Sequence, residues 1–194
     1  MTCTEIAGEP SFGERRRLGR IEEALHQLRL AEQADPLSSE VHKRLAVALL
    51  SAGRYDEAAS QCEKMSSDHP NKSECLGRAK MSQGRIGEAI PVLTASTLNN
   101  WGYLAYAYAR AGRRAEAEKL MAEAPALYPD RRGAFQFALA FAGLGDKDRT
   151  MEQLERIADF GPVRLGWELT CPEFALVRGD PRIRALRKKV GLPG

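Results

Sequence analysis

Few side chains in this chain of 194 residues are of a type and spacing that could do chemistry. Zinc is held by clustered thiolates and imidazoles, as in a Cys-x-x-Cys pair. Here Cys3, Cys62, Cys75 and Cys171 are scattered, form no such pair and have no histidine at ligand spacing. Cys62 follows Ala58 by four residues and precedes Met65 by three, on the apolar stripe of a helix. It therefore reads as a reduced, buried small hydrophobe. Scattered reduced thiols point to a cytoplasmic location. His26, His42 and His69 have neither triad nor metal spacing and read as surface or packing residues. Paired acids can do general acid–base work, but Glu22-Glu23 and Asp56-Glu57 each open a helix, where the dipole favours negative charge. No phosphate-cradling glycine loop, nucleophile elbow or dinucleotide fingerprint occurs. The expectation is a protein that is not an enzyme, with no metal, no cofactor and no small-molecule substrate.

Composition narrows the partners. A charged fraction of 28% and a hydrophobic fraction of 43% suit an ordinary soluble protein. A net charge of +3 is too small to argue for nucleic acid by itself. The opening residues MTCTEIAGEPSF lack a basic start followed by an apolar run, so they read as no secretory leader. No stretch approaches the roughly 18 consecutive apolar residues of a membrane helix. Arginine outnumbers lysine, 21 to 8, a bias that suggests a bacterial source with a GC-rich genome.

What must position any binding residues is a repeat. Gly19-Arg20-Ile21-Glu22-Glu23-Ala24 returns as Gly53-Arg54-Tyr55-Asp56-Glu57-Ala58, Gly84-Arg85-Ile86-Gly87-Glu88-Ala89 and Gly112-Arg113-Arg114-Ala115-Glu116-Ala117. A looser copy starts at Gly145. The glycines recur at intervals of 34, 31, 28 and 33 residues, the period of stacked helix pairs. Each glycine should end one helix in a left-handed turn and open the next. Apolar stripes at helical spacing follow: Ile21, Ala24, Leu25 and Leu28, then Tyr55, Ala58, Cys62 and Met65. Pro36, Pro70 and Pro129 should stop three of these helices. Ala46, Ala58, Ala105, Ala117 and Ala138 leave room for paired backbones to approach.

Gly-Arg-x-x-Glu-Ala, the later alanine and the closing proline resemble the tetratricopeptide repeat, over residues 19–158 and best in the second and fourth units. The resemblance implies an all-α right-handed superhelix of antiparallel helix pairs, whose inner groove binds a peptide or partner protein. It would turn Lys43, Val47, Leu50, Arg78, Met81, Tyr106, Arg110, Phe135 and Leu139 inward, a groove suited to apolar anchors with some acidic character. Several of these residues are equally suited to packing against the neighbouring unit. Val47 stands where the clamp of chaperone-binding members has an asparagine, so that carboxylate-holding mode does not carry over. The third unit departs from the pattern. Pro91 interrupts its second helix, which should lose a turn and make the superhelix irregular there.

The ends read differently. Residues 1–18 show no apolar stripe and carry Gly8, Pro10 and Gly13, so a poorly ordered tail should precede a lone second helix over 19–34. That helix leaves an open flank, to be covered by the tail or by a partner, with self-association one outcome. Residues 159–194 should cap the other end. Asp180 and Pro181 start a helix with the stripe Ile183, Leu186 and Val190, while Trp167, Phe174 and Leu176 plug the last apolar face. Arg182, Arg184, Arg187, Lys188 and Lys189 form a basic face, read first as solvated and secondarily as a contact for nucleic acid, acidic lipid or an acidic protein.

Residues 143–149, Pro172-Glu173-Phe174, Asp180-Pro181-Arg182 and Gly191-Leu192-Pro193 resemble the tails of bacterial winged-helix regulators, Ser/Thr kinases and adenylate cyclases that end in such arrays. This implies a signalling role. It leaves, beside the scaffold reading, the alternative of a regulatory fragment that acts with a separate effector domain.

Overall fold

A computed structural model describes residues 12–95, 97–123, 131–160, 165 and 169–189. Among these the chain is all-α. The elements are α1 (Phe12–Ala34), α2 (Ser39–Ser51), α3 (Tyr55–Lys64), α4 (Lys72–Ser82), α5 (Ile86–Thr94), α6 (Thr97–Arg110), α7 (Arg114–Glu123), α8 (Arg131–Gly143) and α9 (Lys147–Phe160). A 3-10 turn (Pro172–Val177) and α10 (Pro181–Lys189) follow.

The repeated hexapeptide works through local physics. Gly53, Gly84, Gly112 and Gly145 all take φ between 77° and 79°, a region costly for any side chain. At each, the next residue's N–H reaches five residues back: Arg54 to Leu49, Arg85 to Lys80, Arg113 to Tyr108 and Asp146 to Phe141, all at 2.9 Å. This is the hydrogen bonding of a Schellman helix end. The arginine then clamps the first turn of the next helix, Arg54 on Glu57 at 2.6 Å, Arg85 on Glu88 at 2.5 Å and Arg113 on Glu116 at 2.8 Å. In the looser fifth copy the signs exchange, with Asp146 accepting from Arg149 at 2.6 Å.

Gly19 departs from this scheme. It lies inside α1, which runs back to Phe12, so no turn opens there and the expected tail is helical from residue 12. The reason is that no described helix ends just before Gly19, while Glu14 to Leu18 favour helix and one internal glycine costs only about 1 kcal/mol. α1 ends at Ala34, just before Pro36 as expected, whereas the stop before Pro70 comes early. α3 ends at Lys64 because Met65 is extended, five residues before Pro70, and Lys72 Nζ covers the freed carbonyls of Glu63 and Met65. Pro129 lies outside the described residues.

Ala46, Ala58, Ala105, Ala117 and Ala138 have no exposed area, which lets the helices pair closely. One core joins α1 to α4 around Leu25, Leu45, Leu49 and Met65. A larger one joins α5 to α9 and the C-terminal segment around Leu93, Leu104, Met151 and Phe174. α8 packs chiefly along α6 and α9 and touches α7 only lightly, whereas α4 packs mainly on α3 and α5. The irregularity thus falls at α6–α8, where the backbones meet through Gly102 and Gly143. α5 carries Pro91 yet keeps nine residues against ten in α3, so it loses no turn.

Cys62 and Cys75 are joined as a disulfide, with their Cα atoms 5.5 Å apart. This corrects the expectation of reduced thiols for Cys62 and Cys75, while Cys171 is a buried thiol, and it withdraws the support lent to a cytoplasmic location. Among the described residues no helix is long and apolar enough to cross a membrane. The bridge pins α3 to α4 inside the first core. By loop-closure entropy a bridge over a sequence separation of 13 stabilises by about 3 kcal/mol. Thermal melts of the oxidised and reduced chain should therefore differ by roughly 5–10 °C. Identical melts would mean that the bridge adds nothing.

Candidate functional site

Helices α2, α4, α6 and α8 each open a pair and pack on one another in turn, and theirs is the face, here called inner, to which the resemblance assigned binding. Of the nine residues expected there, Leu50, Arg78 and Leu139 are buried and six are not. Leu50 is 2% exposed in the first core and Leu139 is 0% exposed in the second, so both pack between helices. The inward stripe of a helix pair and the wall of its groove share one periodicity, which is why sequence spacing did not separate them. Lys43, Val47, Met81, Tyr106 and Phe135 are half-buried, and Arg110 is exposed. Lys43 is paired with Glu40 at 2.7 Å.

Arg78, on α4, is 4% exposed. Its Nε donates to Glu173 Oε1 at 2.8 Å, and Nη2 donates to Glu173 Oε2 at 3.4 Å and to Cys171 Sγ at 3.3 Å. Nη1 is 3.7 Å from Glu74, and the guanidinium stands over the Tyr103 ring at 4.9 Å. Burial works against its charge, but Glu173 opposes this and holds the guanidinium well above its ordinary pKa. Burial, with Glu173 adding to it, also raises the Tyr106 hydroxyl.

Glu173 belongs to the C-terminal segment, which sequence spacing assigned to the end of the array. The segment packs on α8 and α9, the last pair, and from there also reaches α4 through Glu173 and α2 through Thr170. Phe174 stands edge-on to Phe135 of α8 at 6.0 Å, and Phe135 stands edge-on to Tyr103 of α6 at 6.2 Å. Thr170 shares a 3.2 Å hydrogen bond with Ser51 of α2. Cys171, Phe174 and Val177 are buried in the larger core, and Leu176 packs against it. Trp167 lies outside the described residues. Glu173 and Thr170 were not among the expected site residues. The signal present in the sequence was an acid between Pro172 and Phe174, in a stretch otherwise apolar.

The remaining candidates settle into structural roles. His42 is 1% exposed, with Nε2 donating to the Pro36 carbonyl at 2.9 Å and Nδ1 beside Gln61 at 2.9 Å. It ties α2 to the preceding turn and to α3. His69 Nδ1 accepts from the Asn71 amide at 3.2 Å, and His26 is exposed. Among the described residues no cluster of three acids, cysteines or histidines could hold a metal.

The basic face of α10 is partly neutralised, Arg182 by Asp148 and Asp180 and Lys189 by Asp159. Asp180 caps α10 by accepting from the Arg182 amide at 2.9 Å. Hydrogen bonds from the Arg182 side chain and backbone lower its carboxyl to about 2. A depressed folded pKa stabilises above the ordinary carboxylate range, and that stabilisation is lost as pH falls through about 2. An NMR titration of Asp180 should accordingly show its midpoint near 2, and a midpoint near 4 would mean that the cap is open.

A family model of the tetratricopeptide repeat matches residues 14–69 and 76–132. The match does not reach the C-terminal segment, so the likeness of that segment to signalling-protein tails has no counterpart among the comparisons. No curated protein matches the chain.

Proposed function

Because the chain belongs to the tetratricopeptide repeat family, a family of protein-interaction modules, we propose that it is a non-catalytic scaffold or adaptor. Its inner helices would hold a peptide or partner protein. The observation that carries this reading is the row formed by Arg78, Tyr103 and Phe135 across three successive inner helices, in which Arg78 and Tyr103 are buried, with Glu173 on Arg78 and Phe174 on Phe135. An arginine over an aromatic face, beside further aromatics, is the composition of interface anchors. Lys43, half-buried, and Arg110, exposed, are taken as the rim and would steer an acidic partner.

The test is cross-linking in the native cell with the tagged full chain. Wild type is compared with a Lys43→Glu, Arg110→Glu variant and with an Arg184→Glu, Lys188→Glu variant on α10. We expect the rim variant to lose a specific partner by about tenfold or more and the α10 variant to keep it. Loss only in the α10 variant would move the binding face to the basic helix. Turnover by the purified chain would contradict the non-catalytic reading.

A further inference from the structure

The segment 170–177 meets the inner face as a bound peptide would. It arrives from far along the chain: Glu173 is 95 residues from Arg78, and Thr170 is 119 from Ser51. Its backbone is extended at Cys171 (φ −62°, ψ 139°) and then follows a 3-10 path over Pro172–Val177, kinked at Phe174. Successive side chains find separate partners. Thr170 reaches the Ser51 hydroxyl, Glu173 the Arg78 guanidinium and Phe174 the edge of Phe135. Ala175 on the outer side is exposed.

Capping an apolar face needs only apolar side chains. A buried ion pair adds little over an apolar pair of the same shape, because desolvation offsets the attraction. What Arg78 and Glu173 add is selectivity, since only a segment with a carboxylate at this place in its register satisfies the arginine. The guanidinium also stands over the Tyr103 ring and 3.7 Å from Glu74, so groups on α4 and α6 fix its position beside the contact with Glu173.

Resting on the reading of the inner face as the binding face, we propose that residues 170–177 are an internal ligand that latches the groove. The partner taken from outside is a peptide presenting a carboxylate followed directly by an aromatic residue. Such a partner remakes on Arg78 and Phe135 the contacts that the chain's own segment gives up. Its apparent affinity is lowered by the small fraction of chains whose latch is open.

The test uses a labelled peptide of residues 170–178 with serine in place of the cysteine, titrated against the full chain. Wild type should bind it weakly. Glu173→Arg sets its own tail against Arg78, opens the latch, and should bind at least about tenfold more tightly. Against that variant, the peptide with glutamine for its glutamate, or alanine for its phenylalanine, should lose about tenfold.

Equal binding of all three peptides, or no gain by a Glu173→Arg chain with wild-type helix content, overturns the proposal. Phe174→Ser opens the latch by a second route if Glu173→Arg does not fold. If both variants fail to fold, the proposal is overturned as well, because the segment is then part of the core. A partner lost by the rim variant in cells while the peptide fails would leave the binding face standing and remove only the latch.

Discussion

Replacing Arg78 with alanine lowers the stability of the closed chain by about 3–5 kcal/mol, as urea unfolding should report. The magnitude comes from what is left behind. Glu173 is 5% exposed and its carboxylate takes both Nε and Nη2 of Arg78, so the variant strands a buried charge. Cys171 Sγ and the Tyr103 face lose a partner in the same step. The double variant Arg78→Met, Glu173→Leu should recover most of the loss, since it leaves no charge to desolvate. It should not recover peptide binding, because the guanidinium is gone. A loss below about 1 kcal/mol for Arg78→Ala is the magnitude of an exposed pair and would mean that the segment does not lie on α4.

The second large effect is at Gly102. A Cβ there would stand 2.6 Å from the Gln136 carbonyl oxygen and 2.7 Å from its Cα, and backbone cannot move aside as a flexible side chain can. The Gly102 amide also donates to Gln136 Oε1 at 2.7 Å. Gly102→Ala should therefore destabilise by about 1–3 kcal/mol, although alanine is the better helix former. Gly87→Ala is the matched control. It lies on α5, nothing stands within 4 Å of its added Cβ, and it should be neutral or gain up to about 1 kcal/mol. A gain at both positions would show that α6 and α8 are not in backbone contact.

What could be read from the residues was whatever local physics decides. The positive φ of Gly53 and the pairing of Arg54 with Glu57 act within four residues, so the hexapeptide announces them wherever it follows a helix. Gly19 carries nearly the same hexapeptide but lies within a single helix, and its turn is absent. The small residues Ala58 and Ala117 were legible for a similar reason, as the period fixes which face they share.

The rest depends on distant contacts. Nothing near Cys62 in sequence marks Cys75 as its partner, because the pairing follows from how α3 packs on α4. Arg78 looked like an open groove cation because its partner lies 95 residues away. Leu50 and Leu139 looked like groove wall because an inward stripe serves both packing and binding.

The central claim is that the inner face is a binding face held by a segment able to leave it. Amide hydrogen exchange on the wild-type chain under native conditions tests it without any substitution. The amides to follow are Phe174, bonded to the Cys171 carbonyl at 3.2 Å, and Asp180, bonded to Val177 at 3.0 Å. The references are Leu104 in α6 and Leu139 in α8, both in the core. The account predicts that the segment exchanges through openings at least about tenfold more frequent than those of the two helices, and that excess peptide of residues 170–178 makes its exposure greater. Equal rates for segment and helices, unmoved by the peptide, would mean that they open only together, and that the segment is core rather than ligand.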